Sequence, residues 1–298
     1  MRRLIFILLS SLLLLLSGCG REPDKTFLVS AVCFENKEGK ILVTAEYISV
    51  SDTDVKEGYI AKTASIEAEG VSAAVSRLSG DMTKVLSFSH CAVVMLGRNL
   101  TAQNTKEVLS FLKAEEISLS ATLVCVDDAS VLRAETDSNP STGYALVSLL
   151  ESRGELFGYG THTKIYEIAT ARKQKTSIFA IPYVTLKDKK LSADGMMLYL
   201  DDKPRLKLDT KESIYYAMAR NVYEGGMIEI EDRVEKQKAT KIKEEGQEKG
   251  SLILSSNIEN EEIKNELEAF INEMQRKGIN LFSSHGFKNI KIEGETPD

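Results

Sequence analysis

The front of the chain decides where the rest must fold. Met1-Arg2-Arg3 precedes an apolar run from Leu4 to Leu16, broken only by Ser10 and Ser11, and Ser17-Gly18-Cys19 follows. A basic start, an apolar centre and small residues behind it form the pattern of a secretory leader. The apolar centre is too short for a permanent span, which needs about 20 residues at 1.5 Å rise each. Everything after it is therefore expected to fold outside the cytoplasm.

Leu16-Ser17-Gly18-Cys19 resembles the lipobox of bacterial lipoproteins. That resemblance implies cleavage between Gly18 and Cys19, a diacylglyceryl group on the Cys19 thiol, and Cys19 as the first mature residue. Two acyl chains hold a protein to a bilayer where one binds only reversibly. Ordinary secretion with Cys19 as an incidental thiol stays open, because small residues satisfy either peptidase. Residues 1–18 are read as the leader and 19–26 as a lipidated tether.

The 298 residues have room for one large domain or two ordinary ones, and 43% hydrophobic with 28% charged residues is ordinary globular composition. The net charge of −6 becomes more negative once Arg2 and Arg3 leave with the leader. Such a chain neutralises phosphates poorly, which argues against nucleic acid and against electrostatic adhesion to anionic lipid. Cys33, Cys91 and Cys125 each lie in an apolar run without metal-ligand spacing, the setting of small core residues.

Periodicity then divides the chain. Phe27 to Glu35 and Lys40 to Val50 predict a hairpin around Asn36-Lys37-Glu38-Gly39, and Tyr59 to Ala68 predicts a further strand. Val71, Ala74, Val75 and Leu78 have helical spacing. Phe88 to Gly97 and Ile117 to Val126 read as buried strands flanking a helix from Asn104 to Ala114, and Asp127-Asp128 as the cap of a short helix. After a loop at 136–143 come a helix from Tyr144 to Glu151, a flexible connector from Gly154 to Gly160, a short helix from Ile165 to Ala171 and a strand from Ile178 to Leu186. Pro182 suggests an edge position for that strand. Past Lys187 the texture changes: Ala193 to Leu200, a turn at Asp201-Asp202, Arg205 to Leu208, a helix from Thr210, strands at Met227 to Val234 and Gly250 to Ile258, and a charged run between them. Asn260 caps a helix that buries Ile263, Leu267, Phe270, Ile271 and Met274 and stops at Gly278. Beyond Phe287 comes a basic-acidic tail with Pro297. The expected class is α+β, with mixed sheets and packed helices: an N-terminal α/β-like domain over 27–190 and a smaller C-terminal α+β domain over 191–298.

Several blocks together carry a further resemblance. The leader with Cys19, the hairpin ending in Leu42-Val-Thr-Ala-Glu-Tyr-Ile48, the helix after Gly70 and Ser89-His-Cys-Ala-Val-Val-Met-Leu-Gly97 resemble the C subunits of spore germinant receptors, the Ger(x)C lipoproteins. So do Asp194-Gly195 with the trailing Leu208 and Glu212, and the closing Asn280-Leu-Phe-Ser-Ser-His-Gly286. The chain is identified as a shortened, divergent member. The resemblance implies a non-enzymatic subunit, anchored on the outer leaflet of the spore inner membrane, working with membrane-embedded A- and B-type receptor subunits in nutrient-triggered germination.

No residue set supports catalysis, metal or cofactor binding. His90 and Cys91 are neighbours on an expected strand, where they point to opposite faces and cannot form a nucleophile and base; both read as core residues. His162 and His285 lack companion ligands. Gly158-Tyr159-Gly160 lacks the Lys-Ser or Lys-Thr of a phosphate loop. Asp127-Asp128 suits a cap and Asp201-Asp202 a turn. The alternatives to the receptor subunit are a solute-binding lipoprotein of a transporter, which requires a polar pocket between lobes, and a surface hydrolase.

Overall fold

The computed structural model describes residues 26–50, 59–114, 117–136, 141–159, 163–172, 178–230, 233–248, 251–282 and 289–294. The leader, Cys19 and the tether up to residue 25 lie outside these; Thr26, read as the end of the tether, begins the first strand. Strands β1 (Thr26–Lys37) and β2 (Lys40–Val50) form the expected hairpin, with Glu38 and Gly39 at φ 53° and 88° in its turn. Two left-handed residues give the turn a twist that matches the strands. Strand β3 (Tyr59–Ala68) pairs antiparallel outside β2.

On its other edge β1 runs parallel to the short β4 (Val85–Ser87) and then to β5 (Val93–Gly97). Strands β6 (Thr122–Val126), β7 (Ile178–Lys187), β8 (Lys190–Leu200) and β9 (Lys203–Leu208) complete a mixed nine-stranded sheet, ordered β3-β2-β1-β5-β6-β7-β8-β9 with β4 beside β1. Helices α1 (Val71–Gly80), α2 (Ala102–Ala114) and α4 (Ile165–Ala171) cover one face; α3 (Thr142–Phe157) covers the central strands on the other.

Side-chain alternation along β7 separates the cores. Phe179, Ile181 and Tyr183 point to the first core with Val108, Leu112 and Ile165, whereas Ile178 and Ala180 point to a second core built mainly from the elements C-terminal to β8. Their partners on β8 divide in the same way, Met197 and Tyr199 against Met196 and Leu198. Phe179 and Tyr199 are cross-strand partners with stacked rings, 4.8 Å between centroids. The β7–β8 hairpin is thus a wall between two interiors. The expected division near 190 falls at its turn, where Asp188 and Lys189 have φ 47° and 64°.

The second interior holds α5 (Thr210–Ala219), the hairpin β10 (Gly225–Ile230) and β11 (Arg233–Lys238), and a three-stranded sheet of β12 (Ile242–Glu248), β13 (Ser251–Ser256) and β14 (Asn289–Gly294). Helix α6 (Glu261–Arg276) is the crossover between the parallel strands β13 and β14. Its five predicted core residues are all buried, each worth about 1.5–3 kcal/mol. The Tyr215 hydroxyl of α5 donates to the Glu266 carboxylate of α6. The class is α+β, as read.

Several elements differ from the sequence reading. Pro182 does not mark an edge, because β7 lies between β6 and β8; the proline sits at a register shift between Pro182 and Val184, where its missing N–H breaks no regular ladder. The stretch from Phe88 is strand only from Val93, because Cys91 N–H closes a turn on Phe88 C=O at 3.0 Å. Likewise Ala121 N–H closes a turn on Ser118 C=O ahead of β6. Gly154 to Phe157 is no connector but the last turn of α3, capped by left-handed Gly158. Met227 to Val234 is two strands rather than one, and the basic-acidic tail contributes β14. Gly195 sits at the bulge that lets β8 serve both faces: its φ is 82°, and a Cβ there would lie 2.0 Å from the Leu208 carbonyl oxygen.

Candidate functional site

Of the residues singled out by sequence, Gly18, Cys19, Gly160, His162 and His285 lie outside the described residues. His90 is exposed in the turn before β5, so it is not the core histidine expected; its neighbour Cys91 is buried, and the Cys91 thiol donates to Val93 C=O at 3.3 Å. Burial pushes the thiols of Cys91 and Cys125 up to about 12 and that of Cys33 well above its ordinary value. Thiols held protonated in this way are poor nucleophiles.

The acid pairs are structural. Asp128 caps a 3₁₀ turn (Ala129–Arg133), its Oδ1 accepting from Ser130 N–H at 2.7 Å. Asp127 Oδ1 accepts from the Tyr183 hydroxyl at 2.6 Å and lies 3.1 Å from Arg98 Nε. Asp201 and Asp202 form the β8–β9 turn with φ 52° and 62°, and Asp202 holds Arg172 bidentately at 2.6 and 2.6 Å. That fork ties the end of α4 to the far hairpin. Among the described residues no three His, Cys, Asp or Glu side chains are grouped to hold a metal.

A constellation the sequence reading missed lies at the start of α3. Glu46 of β2 is 1% exposed. Its carboxylate accepts from Ser30 Oγ at 2.6 Å, Ser141 Oγ at 2.7 Å, Thr142 N–H at 2.8 Å and Gly143 N–H at 3.0 Å. The helix N-terminus supplies free N–H groups and a favourable dipole for the negative charge. Helix and sheet touch closely there, since a Cβ on Gly143 would lie 2.8 Å from Ser30 C=O. A strand glutamate flanked by apolar residues reads as solvent-facing in sequence; only the Ser141-Thr142-Gly143 run, a helix start without its own acid, hints at the partner.

The largely apolar cleft of ≈ 340 Å³ opens where the two interiors meet. Ile178, Ala180 and Met196 of the hairpin form its floor, with Tyr166 of α4 on one side and Tyr216 and Arg220 at the end of α5 on the other. Burial raises the Tyr216 phenol, and Arg220 Nη1 donates to Leu281 C=O at 2.8 Å. Such a lining suits apolar groups more than an ionic solute. No described helix is long and apolar enough to cross a membrane.

A profile described as "Spore germination protein N-terminal domain" matches residues 20–186, more than half of the chain, ending at β7. The crystal structure of the GerBC protein resembles the chain with a TM-score of 0.51 at 14% identity, over 89% of this chain and 94% of that one. At that identity the likeness speaks for the fold. A search of curated proteins returned no match. By the profile that covers β1 to β7, the chain belongs to the family of spore germination proteins that carry this N-terminal domain.

Proposed function

We propose that the protein is the lipid-anchored, non-enzymatic C subunit of a nutrient germinant receptor. In this reading Cys19, released as the mature N-terminus by cleavage after Gly18, carries the diacylglyceryl anchor. It holds the body on the extracytoplasmic face, the outer leaflet of the spore inner membrane, beside membrane-embedded A- and B-type subunits. The observation that carries it is the family match, which begins at Gly20, one residue behind Cys19. Inert thiols, acid pairs engaged in caps and turns, and an apolar cleft between interiors support an assembly role over catalysis.

Fractionation tests the anchor. The Cys19→Ala variant should leave the membrane pellet or persist as uncut precursor, whereas wild type should extract only with detergent and carry fatty acid by mass spectrometry. A variant still cleaved and membrane-bound contradicts the anchor. Spores lacking the protein should lose response to at least one nutrient; unchanged germination with every nutrient contradicts the receptor role.

A further inference from the structure

Six strands of the first sheet start at one end of it. Strand β1 runs parallel to β4 and β5, β5 to β6, and β6 to β7; β3, antiparallel to β2, has the direction of β1. Thr26 opens β1 at that end, seven residues past Cys19. Seven residues of fully extended chain reach at most about 25 Å.

The same end gathers the bare apolar side chains. Leu28, Ile60 and Val85 lie within the first three residues of β1, β3 and β4. Leu119 sits in the turn before β6, and Tyr166 at the start of α4 is held beside it, its N–H donating to Leu119 C=O at 3.1 Å. Tyr144 in the first turn of α3 reaches the turn before β5, where its hydroxyl donates to His90 C=O at 3.4 Å. These six are between 37% and 51% exposed. Among the described residues the other large apolar side chains that stand out as far are Leu156, in the last turn of α3 beside β10, and Val234 on β11.

The charge at this end fits an apolar neighbour. Residues 82–92 and 117–122, which lead into β4, β5 and β6, contain no carboxylate although the chain is acidic. Lys84 lies among them, its ammonium 5.5 Å from the centre of the Phe27 ring. Glu167, next to Tyr166, is taken up in capping α4, its Oε2 accepting from Lys164 N–H at 2.8 Å. Asp201 and Asp202 bound the patch on the β8 side, because Leu200 pairs with Ile178 at the start of β7.

We infer that this end of the sheet seats on a lipid bilayer, its apolar tips entering the headgroup region of the leaflet that holds the anchor. Tyrosine suits that boundary, with an apolar ring and a wet hydroxyl. Seating removes the exposed apolar surface from water and desolvates no acid of the two acid-free stretches. The inference rests on the lipid anchor proposed above and adds an orientation to it: the strand starts face the bilayer, and the β1–β2 and β7–β8 turns point away.

The full-length lipidated protein in phosphatidylcholine vesicles, whose neutral headgroups leave net charge out of the contact, tests it. A thiol-reactive fluorophore is placed at Val85→Cys, Leu119→Cys and, as a control, Val234→Cys; Cys33, Cys91 and Cys125 are buried and should stay unlabelled. All three positions are exposed, so the fold is kept, which unchanged melting temperatures check. The labels at 85 and 119 should shift to the blue and be quenched by nitroxide-bearing lipid, whereas the label at 234 should be quenched by aqueous iodide. Protein that does not float with the vesicles overturns anchor and seat together. Floating protein whose labels at 85 and 119 stay open to iodide, or whose three labels respond alike, overturns the seat alone. Labels at 85 and 119 shielded only in membranes that also hold other receptor subunits overturn it too, and assign this end to a protein partner.

Discussion

A carboxylate withdrawn from water is tolerable only where donors replace the water it lost, and Glu46 meets four of them, three at the start of α3 and Ser30 Oγ of β1. Glu46→Gln keeps one acceptor but turns an NH₂ group toward N–H and O–H donors. We expect a loss of about 2–4 kcal/mol in urea unfolding at neutral pH. Glu67→Gln, which breaks a largely exposed pair with Lys37, should change stability by less than about 1 kcal/mol; equal effects would remove the special role of Glu46. Glu35 behaves in the opposite sense with pH. Burial raises its folded pKa above the ordinary value of 4.5. Its contribution is therefore fully present below that value and lost as pH rises through the folded pKa. Glu35→Gln cannot lose it, so the variant should gain stability relative to wild type from about pH 4.5 upward; a difference flat with pH contradicts this.

At the level of elements, α6 shows what a sequence makes visible. Asn260 accepts from Glu262 N–H at 2.9 Å and Ile263 N–H at 3.3 Å, the acids Glu261 and Glu262 fill the first turn, and Gly278 ends the helix at φ 76°. Each of these is a local rule, so start, stop and buried face are all readable. Asn260→Ala should cost about 1 kcal/mol, or roughly 2–4 °C in melting temperature for a chain of this size. First-turn amides of α6 should exchange faster; unchanged exchange contradicts the cap. The hairpin β1–β2 and helix α1 were legible for the same reason. Strands β4 and β14 were not, because each is short and owes its existence to a parallel neighbour brought up from elsewhere in the chain. Glu35 and Glu46 were missed because alternation marks a polar face as wet, and only tertiary packing shows the 3₁₀ turn and α3 lying upon it.

For the whole molecule the decisive feature is the hairpin with two dry faces. The family profile ends at 186 and the division inferred from composition lies near 190, both at the β7–β8 turn. Yet β8 and β9 continue the main sheet, while Met196, Leu198 and Leu208 belong to the second interior. We therefore propose that the two units share this hairpin as a common wall. A chain ending at 190 keeps β7 but strips its β8 partner and uncovers Ile178 and Ala180. A chain ending at 208 keeps the sheet but bares the apolar side on which α5 and α6 pack. Either exposure puts a contiguous apolar surface into water, so both fragments should aggregate or fail to express soluble protein. The intact chain should unfold in one cooperative calorimetric transition, since neither interior keeps its wall when the other is lost. Two separated transitions, with a soluble fragment ending at 190 reproducing the first, would show that each unit closes its own core. In that case the bond between them would be a docking contact rather than a shared strand pair.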